Sequence, residues 1–181
     1  MCNQKHKISV NYINTELLEK AKKRTIKYLN AANIYCDKMI ELLAKDKEEK
    51  FIKAAYEGKY HKVESYIKQG VNVNAKDKEG KTALIEAEEY APSIFSSTRK
   101  SNIDIVKLLV EHGADVNAKD EMGVTTLMWA AYKGWLDDVK LLVEHGADVN
   151  AKDKEGRTAR NWAEIRVNTK IAEFLIEHSG G

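Results

Sequence analysis

Cysteine is scarce in this 181-residue chain, at Cys2 and Cys36 only. Two thiols make no disulfide framework, and the composition is of an intracellular type. No apolar run approaches the roughly 18 residues of a membrane span. No signal-peptide hydrophobic region precedes Cys2. A soluble, cytoplasmic chain without a lipid anchor is therefore expected, and an injected or secreted effector is compatible with the same residues. Proline occurs once, so the single proline break falls at Pro92.

Net charge is also small, at +2. Residues 1–45 carry nine Lys/Arg against four Asp/Glu, and residues 46–181 carry 21 against 24. A lysine-rich solvated helix accounts for the first imbalance, and nucleic acid would need a clustered basic face. The chain has no phosphate-cradling GxxxxGK[ST], no GxSxG nucleophile turn and no cysteine at metal spacing from the other. Catalytic residues, cofactors and a small-molecule substrate are accordingly not expected.

What the chain does have is a repeat. Val106–Asp120, VKLLVEHGADVNAKD, recurs letter for letter at Val139–Asp153, an offset of 33 residues. A looser copy, Val71–Ala83, differs from Ala147–Ala159 at three positions. Such identity at a fixed spacing marks a duplicated structural unit.

Each unit reads as two short helices. The predicted pairs are 47–57 with 60–69, 82–90 with 102–111, 125–133 with 136–144, and 158–166 with 169–178. Between pairs lie polar strips bounded by glycine: Gly70 and Gly80, Gly113 and Gly123, Gly146 and Gly156. The first glycine of each strip ends a helix in the left-handed conformation. Asp46–Glu49 has the capping-box pattern and is read as opening the first helix of the array. Before it, residues 1–14 lack a helical period and are read as a loose arm. From Thr15, Leu18, Ala21, Thr25, Tyr28, Ala32, Tyr35, Met39 and Leu42 fall at alternating steps of three and four. Leu17, Leu29, Cys36, Ile40 and Leu43 widen that stripe. One or two helices over 15–44 are expected, packed on the first repeat, with a coiled-coil dimer as the alternative; the chain is expected to be a monomer.

The pattern Asp-x-x-Gly-x-Thr, apolar helix, Gly, second helix with Leu-Leu, then Gly-Ala-Asp-Val-Asn-Ala resembles the ankyrin repeat. The resemblance covers about residues 44–179 as four repeats, at about 44–76, 77–119, 120–152 and 153–179. It implies an all-α solenoid in which β-turn fingers join helix-turn-helix units, here with an extra N-terminal helical segment. Leu108, Leu109, Leu141 and Leu142 form stripes that one hairpin cannot bury alone. Ala54, Ala55, Ala130, Ala131 and Ala163 are small where inner helices approach closely.

The departures are informative. The family's Thr-Pro-Leu-His becomes Thr82-Ala83-Leu84-Ile85, Thr125-Thr126-Leu127-Met128 and Thr158-Ala159-Arg160-Asn161. Arg160 stands where a core leucine is expected, which suits a polar-faced terminal cap. From Asp77 to Asp120 is 43 residues, ten more than the unit, with the excess near 88–101.

His112, His145 and His178 also recur at 33 residues. Equivalent positions in stacked repeats lie roughly 10 Å apart by interaxial distance, whereas zinc ligands converge to about 2.1 Å of one ion. They are read as helix C-terminal residues and not as metal ligands. Asp77, Asp120 and Asp153 are read as hydrogen-bonding their own turns.

The resemblance implies another protein as partner, met by finger tips and by the exposed edge of the inner helices. Those positions are Lys76, Lys78, Glu79 and Lys81, then Lys119, Glu121, Met122, Val124, Tyr132 and Lys133, then Lys152, Lys154, Glu155, Arg157 and Arg166, with Tyr56 before them. Met122 and Val124 stand out, because the equivalent places hold Glu79 and Lys81 or Glu155 and Arg157. An apolar pair with a charged rim has the composition of an interface centre. Trp135, on the turn between helices, is expected to pack on Ile94 or Phe95 of the insert. Trp129 and Trp162 are expected in the inner-helix core. The alternative function is a scaffold whose basic N-terminal segment binds a copy of itself, an acidic surface or nucleic acid; a regulatory subunit is a further possibility on the same fold.

Overall fold

The computed structural model describes the backbone of residues 3–90 and 98–179, and the side chains of 17–89 and 103–179. Eight helices appear among the described residues: α1 (Asn3–Tyr56), α2 (Tyr60–Lys68), α3 (Ala83–Tyr90), α4 (Thr98–Glu111), α5 (Thr126–Lys133), α6 (Leu136–Glu144), α7 (Ala159–Ile165) and α8 (Thr169–His178). The expected bounds from residue 60 onward hold to within a few residues. The fold is all-α, with isolated antiparallel bridges Lys76–Thr82 and Lys119–Thr125 closing two finger bases.

The N-terminal expectations need correction. The loose arm at 1–14 is not found, since α1 begins at Asn3. Nor does Asp46 open a helix. It lies inside α1, where its carboxylate takes Lys50 Nζ at 2.7 Å, an i,i+4 ion pair that competes with the capping role. Within α1, Leu18, Tyr28, Leu29, Ile40 and Leu43 of the stripe are each more than half accessible.

The chain forms two compact units, Met1–Lys45 and Asp46–Gly181. In the second, helices α3, α5 and α7 pack side by side as one layer, and α2, α4, α6 and α8 as the other. Its core is continuous, from Phe51, Ala54 and Ala55 through Leu84, Ile105, Leu109, Leu127 and Met128 to Leu142, Ala163 and Leu175. Ala55, Ala130, Ala131 and Ala163 are completely buried, as close approach of the inner layer requires. Leu142 is also completely buried, whereas Leu141 is only partly covered. Fully burying one such leucine contributes roughly 1.5–3 kcal/mol.

The duplicated Asp-Val-Asn-Ala turn is a staple between repeats. Asn74 Nδ2 donates to Gly113 O at 3.1 Å while its Oδ1 accepts from Asp115 N at 2.8 Å. Asn117 does the same one unit on, to Gly146 O at 2.9 Å and from Asp148 N at 2.7 Å. Lys76 Nζ reaches Lys119 O, and Lys119 Nζ reaches Lys152 O, at 2.8 and 2.9 Å. At the far end Arg160 is exposed and pairs with Glu164 at 2.8 Å, while the equivalent Leu84 and Leu127 are buried.

Candidate functional site

The fingers are rigid because one aspartate organises each. Asp77 Oδ1 accepts from Glu79 N and Lys81 N at 2.8 and 2.9 Å. Asp120 Oδ1 accepts from Met122 N and Val124 N at 2.8 and 2.9 Å, and Asp153 Oδ1 from Glu155 N and Arg157 N at 3.0 and 2.9 Å. These carboxylates serve their own turns, as expected. Backbone bonds from Glu121 N to Glu79 O (3.0 Å) and from Lys154 N to Met122 O (2.9 Å) stitch each tip to the next.

That geometry separates the expected apolar pair. Met122 is exposed at the tip, but Val124 is 5% exposed and belongs to the core. The second hydrogen bond to Asp120 turns residue 124 back toward α5, so Val124 forms no exposed tip with Met122 and is a buried wall behind it. Lys81 and Arg157, its equivalents, fold inward too and meet that environment with ion pairs. Lys81 Nζ lies 2.6 Å from Glu89, 3.2 Å from Glu79 and 3.6 Å from Glu86. Burial pulls the Lys81 ammonium down, but hydrogen bonds to Glu89 and Glu79 and the charge of Glu86 outweigh it and raise it. Burial pushes the Glu86 carboxyl up, against the pull of Lys81.

Arg157 donates from Nε to Asp153 Oδ2 at 2.9 Å, pairs with Glu155 at 2.7 Å, and holds its guanidinium 4.9 Å over the Trp162 ring. Trp162 Nε1 donates to Asp153 Oδ2 at 3.0 Å. Trp129, Tyr132 and Trp162 then form a three-ring cluster, edge to face, with centroids 5.4 to 6.1 Å apart. Expected as core, the two tryptophans are only partly buried. Glu86, Trp129 and Trp162 are equivalent positions, and Glu86 is buried there with Lys81 Nζ 3.6 Å from it.

Between the fingers and this cluster lies a concavity of about 400 Å³. Val124, Trp129 and Trp162 line it with apolar surface, Met122 and Glu121 stand at one finger, and Glu79, Lys81, Glu89 and Arg157 supply charge. Trp129 Nε1 is covered and has no hydrogen-bond partner among the described residues. Beside the cluster, Arg166 places its guanidinium 4.9 Å over Tyr132, and Lys133 Nζ lies 5.9 Å from the Trp135 ring centroid. Burial lowers the Lys133 ammonium, with Glu89 and Glu88 opposing and Arg166 adding to the effect.

A second hollow, of about 340 Å³, is lined by Ile52, Lys53, Tyr56, Asp77, Lys78 and Glu86. Lys78, Lys154 and Glu155 are exposed charges at finger tips. Trp135 is 6% exposed; its expected partners Ile94 and Phe95, with Pro92 and most of the insert, lie outside the described residues.

His112, His145 and His178 each place Nδ1 2.7 to 2.8 Å from the carbonyl four residues earlier, at Leu108, Leu141 and Phe174. The rings close the ends of their own helices.

A family model described as ankyrin repeats (3 copies) matches residues 17–120, 51–153 and 94–181. The chain belongs to the ankyrin repeat family. Among curated proteins nothing matches it. Ankyrin repeats are generally protein–protein interaction modules and typically non-catalytic. The asparagine staples and aspartate-organised fingers are how this ankyrin chain builds its framework. Among the described residues no helix is long and apolar enough to cross a membrane.

Proposed function

We propose that the chain is a non-catalytic binding module that holds a protein partner against the finger tips and inner-helix face of its second to fourth repeats. The observation that carries this reading is the concavity floored by Trp129 and Trp162 and flanked by Met122. Large aromatic surface with a polar rim is the composition of interface centres. Lys81 and Arg157 are already neutralised by Glu89, Glu79, Asp153 and Glu155, so they shape the groove without demanding a charged guest. Lys133 and Arg166 make no ion pair among the described residues. A partner segment that places a large apolar side chain in the groove and an Asp or Glu beside Arg166 satisfies both. Tyr132, Glu121, Lys78, Lys154 and Glu155 then form the rim.

The test is affinity capture with the full chain against Met122→Glu and Arg166→Glu variants, with Lys107→Glu on exposed α4 as control. Partners held by wild type and control and lost by both variants support the reading; equal recovery on all four chains overturns it. Captured partners should survive a rise in salt, because an apolar-centred contact is little screened, whereas one held by the basic residues of 1–45 would be lost.

A further inference from the structure

The second unit carries a hollow that the aromatic groove leaves unused. Its volume is about 340 Å³, at the small end of the range for ligand sites, roughly 300–1,000 Å³. Ile52 and Tyr56, from the last turns of α1, give it an apolar wall; Asp77 and Lys78 stand at a finger, and Glu86 of α3 completes the lining. Glu86 is the anomaly, because it is only 7% exposed and its carboxylate is unmet. Its Oε2 has no hydrogen-bond partner among the described residues. Its Oε1 lies 3.6 Å from Lys81 Nζ, beyond hydrogen-bond reach. Lys81 is itself held closer by Glu89 and Glu79, at 2.6 and 3.2 Å. A buried carboxylate left in that condition is costly, and a donor that reaches it recovers the loss.

The surrounding charge defines the donor. Glu49, Asp77 and Glu86 line the hollow against Lys53 and Lys78, and beside it Glu79 and Glu89 more than match Lys81. Neither Lys53 nor Lys78 pairs with Glu86, whose one ion-pair partner among the described residues is Lys81. The fitting guest is therefore a cation. Among the described residues no three His, Cys, Asp or Glu side chains gather as metal ligands do, so an organic cation fits better than a metal ion. The apolar wall then favours guanidinium over ammonium. A guanidinium turns a planar fork of N–H donors to a carboxylate and a weakly hydrated face to an aromatic ring, whereas an ammonium is strongly hydrated.

Building on a protein partner in the groove, we propose that this hollow binds an arginine side chain of that partner, its guanidinium on Glu86 and its stem along Ile52 and Tyr56. Lys81 joins the two places, since it contacts Glu86 of the hollow and Glu89 of the groove. One extended segment can thus cross both.

The probe is acetyl-arginine-amide, titrated into the nitrogen-15-labelled full chain. Saturable shifts of the Tyr56 and Lys78 backbone signals are expected at millimolar concentration, while the Trp129 and Trp162 indole signals stay in place. Acetyl-citrulline-amide has the same shape without the charge and should bind about tenfold more weakly or worse, the worth of a hydrogen bond to a charged group. Glu86→Gln should weaken the arginine probe by a similar factor. Tyr56→Ala, at an exposed position, should weaken it too, and decides the matter if Glu86→Gln does not fold. No saturable shift at the hollow overturns the proposal, as does equal binding of the citrulline probe or undiminished affinity in a folded Glu86→Gln chain. A peptide that moves the groove indoles in a chain whose hollow refuses the arginine probe leaves the groove standing and overturns the hollow; arginine in the hollow with no peptide in the groove does the reverse.

Discussion

The guanidinium of Arg157 stands 4.9 Å above the Trp162 indole, and both groups donate to the same oxygen, Oδ2 of Asp153, at 2.9 and 3.0 Å. One buried carboxylate thus holds the last finger and one wall of the groove together. Asp153→Ala strands a guanidinium, an indole N–H and two backbone N–H groups, and should cost about 3 kcal/mol. Urea unfolding followed by tryptophan fluorescence measures it.

The same carboxylate predicts an acid limb. Burial pushes the Asp153 carboxyl up, but the backbone N–H and guanidinium of Arg157 and the indole of Trp162 outweigh it and hold it below the ordinary range. With the folded value below the unfolded one, its stabilisation is present above the unfolded value and is lost as pH falls through the folded one. Unfolding midpoints should therefore drop as pH falls below the ordinary aspartate range in the wild type, and drop less steeply in Asp153→Asn.

Val167 sits at φ 58° on the turn between α7 and α8, where the equivalent Gly134 has φ 82°. A β-branched residue there is strained, and Val167 is exposed, so little packing is lost on truncation. Val167→Gly should stabilise the chain by about 1 kcal/mol. Thermal unfolding checks this; a lowered midpoint would contradict the strain argument.

Gly123 and Gly113 separate backbone strain from stacking. Both have positive φ, but a Cβ on Gly123 would lie 3.1 Å from Lys154 N of the next finger, whereas one on Gly113 meets nothing within 4 Å. Gly113→Ala should cost about 1 kcal/mol through its backbone alone. Gly123→Ala should cost more, because it also pries the Lys154–Met122 bond apart, and Gly80→Ala should follow it.

Leu142→Ala should cost about 2–5 kcal/mol with its cavity. Leu141→Ala, at the partly covered neighbour, should cost less. The Leu-Leu pair reads as two core residues in sequence; the helix turns only one of them fully inward.

That case shows where sequence reading reached and where it stopped. The helices of the repeats were legible because glycines and threonines mark their ends and the 33-residue copy confirms the spacing. Histidines and finger aspartates were legible because their roles are local. The single helix α1 was not, since Asp46-Lys-Glu-Glu satisfies a capping pattern as well as an i,i+4 pair, and only the Lys50 contact decides between them. Val124 was misplaced because both it and Met122 are apolar departures from charged positions; the hydrogen bond from Val124 N to Asp120 turns one inward and leaves the other out. The groove itself needed the third dimension, as Lys81, Glu89, Met122 and Trp162 come from three different repeats.

The central claim is that a protein partner enters between the fingers and the aromatic cluster. The three tryptophans of the chain report on it separately, because each indole N–H gives its own signal in a nitrogen-15-labelled sample. A peptide selected for binding from a random library should be titrated into the labelled full chain. The account predicts that the Trp129 and Trp162 signals move, Trp129 most as its Nε1–H, without a partner among the described residues, gains an acceptor, while buried Trp135 stays in place. Movement of Trp135 with Trp129 and Trp162 unchanged would contradict it.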